Sequence, residues 1–303
     1  MKFKMKKSIR NVVLLCAFFV MTSLSFAQSH KVEIASIPTI TLNNGVKMPA
    51  LGLGTLELND TLGVNSVAQA ISLGYRLFDT ATIYGNEKAV GNGIKKSGID
   101  RKKLFITSKL WVSDMGYENT KKAFEISLKK LGVDYLDLYL IHRPRGDVQG
   151  SWKAMEELYK EGKIRAIGVS NFDAVQLADL IAKAEIKPAI NQIELNPFFQ
   201  ESELKNAIEK LGVQVEGWSP FAQGRNGLFT NKVLVEIGKK YNKTAAQVTL
   251  RWLIQRGIIV IPRTANPAHM KENMDVFDFE LDSADMQLIT TLDKKTSQFP
   301  EWN

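Results

Sequence analysis

The chain has 303 residues, 45% of them hydrophobic and 24% charged, a balance that suits a folded domain and excludes a low-complexity or collagen-like chain. Its formal charge is +8, but Lys2, Lys4, Lys6, Lys7 and Arg10 supply five of the 40 cations and precede every acid. Without them the excess over the 32 acids is three, too thinly spread for a nucleic-acid-binding face, so no nucleic-acid partner is expected.

The basic start leads into an apolar run over 12–21 and then Ser25-Phe26-Ala27, a small-x-small cleavage pattern. These features predict a secretory signal peptide over 1–27 and a mature domain over 28–303. The run is too short for an ordinary membrane span, so no stable span is expected after cleavage. Cleavage would also remove Cys16, the sole cysteine. Leu15 before it is not small, which argues against a lipoprotein site. The expected location is outside the cytoplasm, periplasmic or secreted; a start at Met21 would instead leave the protein cytoplasmic.

Residues 39–48 alternate and turn on Asn44-Gly45, which predicts a two-residue type I′ hairpin. Short apolar runs follow at 50–53, 75–78, 104–107, 135–141, 164–169, 189–193, 213–217 and 258–261. Between and after them, helical spacing marks 64–73, 118–131, 174–184, 203–211, 232–241, 244–256, 267–274 and 283–292, with a loop at 222–229. Eight strand–helix repeats predict a closed parallel (β/α)8 TIM barrel, class α/β. The alternative, an open doubly wound sheet, lacks its glycine fingerprint. Gly52-Leu53-Gly54-Thr55 has no third glycine, and Gly91-Asn92-Gly93 falls within a helical stretch.

In such a barrel the functional groups sit at the carboxyl ends of the strands. In chain order these ends deliver Gly54 and Thr55; Asp79 with Tyr84; Lys109 and Trp111; His142; Ser170 and Asn171; Gln192, Glu194 and Asn196; Trp218 and Ser219; Arg263 and Thr264. Each has an ordinary structural use alone, as cap, packing group or loop hydrogen bonder; their shared placement points to a site. A phenol has a pKa of about 10, and a neighbouring ammonium makes it more acidic. Asp79 beside Lys109 would hold that ammonium, and His142 could aim a carbonyl at Tyr84. Such a group donates a proton to an aldehyde or ketone becoming an alcohol. The three histidines, His30, His142 and His269, show no zinc spacing, so no metal is expected and an organic hydride donor is the simplest electron source.

The motifs GLGT at Gly52, GYRLFDTATIYGNE at Gly74, ITSKLW at Ile106, DYLDLYLIHRP at Asp134, GKIRAIGVSNF at Gly162, NQIELNP at Asn191 and WSPFAQG at Trp218 occur in one order over 39–293. In this the chain resembles the aldo-keto reductases, nearest in flavour to bacterial reductases of diketogluconate, methylglyoxal and similar small carbonyls. The resemblance implies a barrel with the Asn44-Gly45 hairpin across its bottom and a catalytic tetrad of Asp79, Tyr84, Lys109 and His142. Tyr84 would be the general acid, Lys109 paired with Asp79 would stabilise the phenolate, and His142 would orient the carbonyl.

The resemblance also implies NADPH, with NADH a second candidate. Ser170, Asn171 and Gln192 would hold the carboxamide, Trp218 would stack on the nicotinamide, and Ser219 with Phe221 would meet the pyrophosphate. Gly54, Thr55, Asp79 and Pro220 would complete the cofactor's surroundings. Arg263, Thr264, His269, Glu272 and Asn273 would surround the 2′-phosphate and adenine. The sequence departs from the family at two points. Trp218 stands where Tyr is frequent, and His269 stands where an arginine is usual, which weakens the expected phosphate grip.

Trp111, with His142, is expected at the substrate pocket beside the loop 222–229, and the short tail after Thr296 is expected to leave that pocket open. A monomer acting on small carbonyls is the leading expectation. The alternatives are a cofactor-binding regulatory or redox-sensing barrel with little turnover, and a Schiff-base barrel using Lys109.

Overall fold

A computed structural model of the chain describes residues 37–302; the expected signal peptide and Cys16 lie outside the described residues. The chain begins with an antiparallel hairpin, β1 (Thr39–Thr41) and β2 (Lys47–Pro49). Eight parallel strands follow: β3 (Leu53–Gly54), β4 (Leu77–Asp79), β5 (Phe105–Leu110), β6 (Leu136–Ile141), β7 (Ile164–Ser170), β8 (Ile190–Glu194), β9 (Gln214–Trp218) and β10 (Ile259–Val260). They pair in strict chain order from β3 to β10. The ring closes through the bridge Leu51–Val260 and the bonds Gly52 N to Val260 O (2.9 Å) and Gly54 N to Pro262 O (3.1 Å). The fold is therefore the (β/α)8 barrel that the alternation predicts.

The helices α1 (Asp60–Leu73), α2 (Glu87–Ser97), α3 (Tyr117–Leu131), α4 (Val148–Lys160), α5 (Ala174–Lys183), α6 (Ser202–Lys210), α7 (Lys232–Tyr241), α8 (Ala245–Gln255), α9 (Pro267–Met274) and α10 (Ser283–Thr290) lie in the connections and after the last strand. Sequence cues set their starts. Asp173 and Gln176 form a capping box for α5, and Thr244 and Gln247 form one for α8. The large core lies between strands and helices and contains Phe78, Phe124, Trp152, Phe172 and Trp252. A second core fills the barrel's lower interior with Leu77, Phe105, Leu138, Leu140, Ile190 and Ile259.

The hairpin caps that second core, inserting Leu42 and Met48. Asn43 Nδ2 donates to Pro188 O (2.8 Å) and Asn44 Nδ2 to Arg165 O (2.9 Å), fastening it to the strand entrances. Its turn differs from the two-residue expectation. Leu42 N donates to Val46 O (2.8 Å), so three residues, 43–45, make the loop. Gly45, at φ 84° with its N–H on Leu42 O (2.9 Å), takes the left-handed position of a bulged turn. Asn44 is thereby released to grip the barrel.

The Gly91–Gly93 pair has a packing role in α2. A Cβ on Gly91 would stand 2.2 Å from Leu131 O of α3, and one on Gly93 would stand 2.7 Å from Val67 Cβ of α1. Gly91→Ala should therefore cost roughly 1–3 kcal/mol by overpacking. Urea unfolding followed by circular dichroism measures this; an unchanged midpoint would show that the contact can relax freely.

Candidate active site

Side chains alternate along a strand, so β4 points Leu77 and Asp79 inward while β5 points Phe105, Thr107 and Lys109 inward. Each strand thus passes from an apolar lower layer to a charge at its upper end. Lys109 is fully buried and Asp79 is 2% exposed, with Nζ and Oδ1 2.5 Å apart. Nζ also donates to Thr80 O (3.1 Å) and to Tyr84 Oη (3.3 Å). Tyr84 reaches this point because Thr82–Tyr84 form a single tight turn after β4. Thr82 Oγ1 pins the turn to Lys109 O at 2.9 Å, and Thr80 Oγ1 donates to the buried Asn86 at 2.7 Å. His142 follows β6, its ring centre 5.8 Å from that of Tyr84 and 5.1 Å from that of Trp111, both in edge-on geometry. Positions 79, 84, 109 and 142 therefore converge.

The network continues behind Asp79. The Gln192 amide nitrogen donates to Asp79 Oδ2 and to Glu216 Oε2, both at 2.9 Å. Glu216 is fully buried on β9, and its Oε1 has no partner among the described residues. Burial, and then the Asp79 charge, push its carboxyl up to about 8 against the opposing pull of Gln192 and Lys109. Burial alone would lower the Lys109 ammonium, but the Asp79 carboxylate, by its charge and hydrogen bond, outweighs it and holds the group charged. Burial also raises the Tyr84 phenol, which Lys109 partly offsets. His142 is held well below the usual imidazole range by burial, Lys109 and Arg143, so it is neutral near neutral pH.

Above this network opens a cavity of about 870 Å³. Of the residues expected around a cofactor, Gly54, Thr55, Asp79, Ser170, Asn171, Gln192, Trp218, Ser219, Pro220, Phe221 and Arg263 line it, and Trp111 lines it beside His142. Thr264, His269, Glu272 and Asn273 do not. His269 is exposed on α9, Glu272 accepts from Thr244 Oγ1, and Asn273 is buried. Trp218 Nε1 donates to Asn171 Oδ1 (2.9 Å), and Asn171 Nδ2 donates to His142 O (3.0 Å), fixing indole and amide together. Glu57, Asn171, Ser219 and Gln223 line the cavity with φ of 61°, 63°, 52° and 51°, strained values that cluster at functional rims.

The short tail supplies one wall of this cavity. Glu301 and Trp302 line it, and Trp302 stacks on the buried Phe299 at 4.7 Å. Arg225 of the loop 222–229 pairs with Glu301 (2.5 Å) and lies 4.3 Å over Phe299. Among the described residues no group of three or more His, Cys, Asp or Glu could hold a metal.

The sequence profile of the aldo/keto reductase family matches residues 50–294. The chain belongs to the aldo/keto reductase family. It is 51% identical over 258 residues to the glyoxal reductase of Bacillus subtilis, covering 84% of this chain and 93% of that one. The crystal structure of an aldo/keto reductase from Brucella melitensis superposes with a TM-score of 0.82 at 46% identity, covering 85% of this chain and all of that one. The Bombyx mori aldo-keto reductase solved in complex with NADP gives 0.82 at 35% identity, covering 87% and 95%.

For this aldo/keto reductase, sequence reading missed Glu216. Its parity along β9 with Trp218 gave a signal, since both are inward positions of one strand. The raised carboxyl has a thermodynamic consequence. Native Glu216 retains a proton that the unfolded chain releases above its ordinary pKa, so this group makes stability fall as pH rises from about 4.5 to about 8. Glu216→Gln should remove that fall and gain at least about 1 kcal/mol over the parent at pH 8 relative to pH 5. Denaturant titrations at both pH values measure it; parallel stability profiles would refute a protonated native Glu216.

Proposed function

We propose that this aldo/keto reductase reduces small aldehydes and ketones with Tyr84 as the proton donor. The observation carrying this reading is the placement of Lys109 Nζ between Asp79 Oδ1 at 2.5 Å and Tyr84 Oη at 3.3 Å, at the floor of the cavity. A charged ammonium that cannot leave its carboxylate stabilises the phenolate formed when Tyr84 gives up its proton. His142 is neutral, so it orients a carbonyl oxygen toward Tyr84 by hydrogen bonding without itself releasing a proton.

The cavity fits NADPH as electron source. Ser170, Asn171 and Gln192 offer hydroxyl and amide partners for a carboxamide, Trp218 offers an indole for a flat ring, and Arg263 offers a cation for phosphate. When bound, reduced nicotinamide supplies hydride to the carbonyl carbon. Gln192 then serves twice, lining the cavity and bonding Asp79.

Tyr84→Phe tests the proton donor. Reduction of methylglyoxal with NADPH should fall by about 10²–10⁴ in kcat, while quenching of tryptophan fluorescence by NADPH persists. Retained turnover would remove Tyr84 from the role.

We further propose that residues 1–27 are removed on export, leaving the domain 28–303. The basic start, the apolar run and the Ser25-Phe26-Ala27 sequence support it. Amino-terminal sequencing of the protein from its own host should begin at Gln28; a chain beginning at Met21 would establish a cytoplasmic start instead.

A further inference from the structure

His142 is followed by Arg143-Pro144-Arg145, and both arginines line the cavity. Their charges are unmatched. The acids of the lining are each paired elsewhere: Asp79 with Lys109 at 2.5 Å, Glu57 with Arg263 at 3.2 Å and Glu301 with Arg225 at 2.5 Å. Asp147, the next acid along the chain, caps α4 by accepting from Gly150 N at 2.8 Å. Neither Arg143 nor Arg145 has an ion pair or side-chain hydrogen bond among the described residues.

This arrangement is costly for structure alone. Arg143 is half-buried, and both burial and the neighbouring Arg145 work against its charge. The Arg145 N–H bond to Arg143 O at 2.8 Å holds the two in one tight turn, with Pro144 fixing the backbone between them. Two arginines held in one tight turn beside a cavity, Arg143 half-buried and Arg145 exposed, can offer their planar forks to an oxyanion.

Topology says which anion. Arg143 and Arg145 follow β6, while Arg263 follows β10, four strands away around the eight-stranded ring and so on its opposite side. The phosphates of NADPH belong with Arg263 on the reading above. Arg143 instead acts on both Tyr84 and His142, the groups that face the carbonyl.

We propose that Arg143 and Arg145 form a subsite for an oxyanion carried by the substrate itself, so that the preferred substrates are aldehydes or ketones bearing a carboxylate or phosphate. The proposal rests on the carbonyl-reducing reading for its location and is tested separately from it.

The test compares 4-carboxybenzaldehyde and 4-formylphenyl phosphate with the neutral methyl 4-formylbenzoate. At least one charged aldehyde should show a KM about tenfold below that of the ester, and the one favoured identifies the oxyanion. Arg143→Gln/Arg145→Gln should abolish the preference, and Arg143→Lys should restore part of it in the double variant's place. Equal KM values for all three in the parent enzyme would overturn the proposal without any variant having to fold. Binding of the unreactive 4-methylbenzoate against methyl 4-methylbenzoate, read by tryptophan fluorescence with NADP+ present, separates the two readings. No turnover of any aldehyde, with charge-dependent binding retained, would sink the reductase mechanism and keep the anion site. Binding indifferent to charge would sink the anion site.

Discussion

The site depends on the ion pair between Lys109 and Asp79, buried at 0% and 2% exposure. Removing two charges from water is expensive, and attraction between them repays the cost only when further hydrogen bonds satisfy their remaining atoms. Here Thr80 O and Tyr84 Oη take the other protons of Nζ, and Gln192 takes the second oxygen of Asp79. The pair is therefore fixed from several strands at once. The same low-polarity surroundings that make it costly also keep His142 neutral and Glu216 protonated. One desolvated environment thus sets Lys109, His142 and Glu216, each by a different balance of burial and neighbouring charge.

The barrel makes this affordable by separating its tasks along the strand axis. Below, the inward side chains are apolar and capped by Leu42 and Met48 of the hairpin. Above, they are Asp79, Lys109, Ser170, Gln192 and Glu216, whose polar atoms find one another across neighbouring or facing strands. The strand register that brings Gly54 opposite Asp79 and Ser170 opposite Gln192 is set by apolar packing lower down.

Much of this was legible in the sequence because two periodicities coincide with chemistry. Each short apolar run is followed within two residues by a polar or aromatic side chain, and in a parallel barrel those ends must share one rim. Positions 79, 84, 109 and 142 could be named on that ground. What escaped had weaker local signals. Glu216 sits inside an apolar strand, where its neighbours Val215 and Gly217 hide it unless inward parity is counted. The hairpin misled because Asn44-Gly45 suits a two-residue turn, whereas the tertiary bond from Asn44 to Arg165 O favours a longer one. The wall made by Phe299 and Trp302 was foreshadowed by two aromatics in an otherwise polar tail.

That wall bears on how the protein should be handled. Trp302 stands next to the last residue of the chain and leans on Trp218 at 5.7 Å, while Glu301 is tied to Arg225. A purification tag fused at the carboxyl end would begin within one residue of the cavity lining and could prop the aromatic stack apart. Kinetic constants measured on such a fusion would describe an altered chamber, so a cleavable amino-terminal handle is the sounder engineering choice.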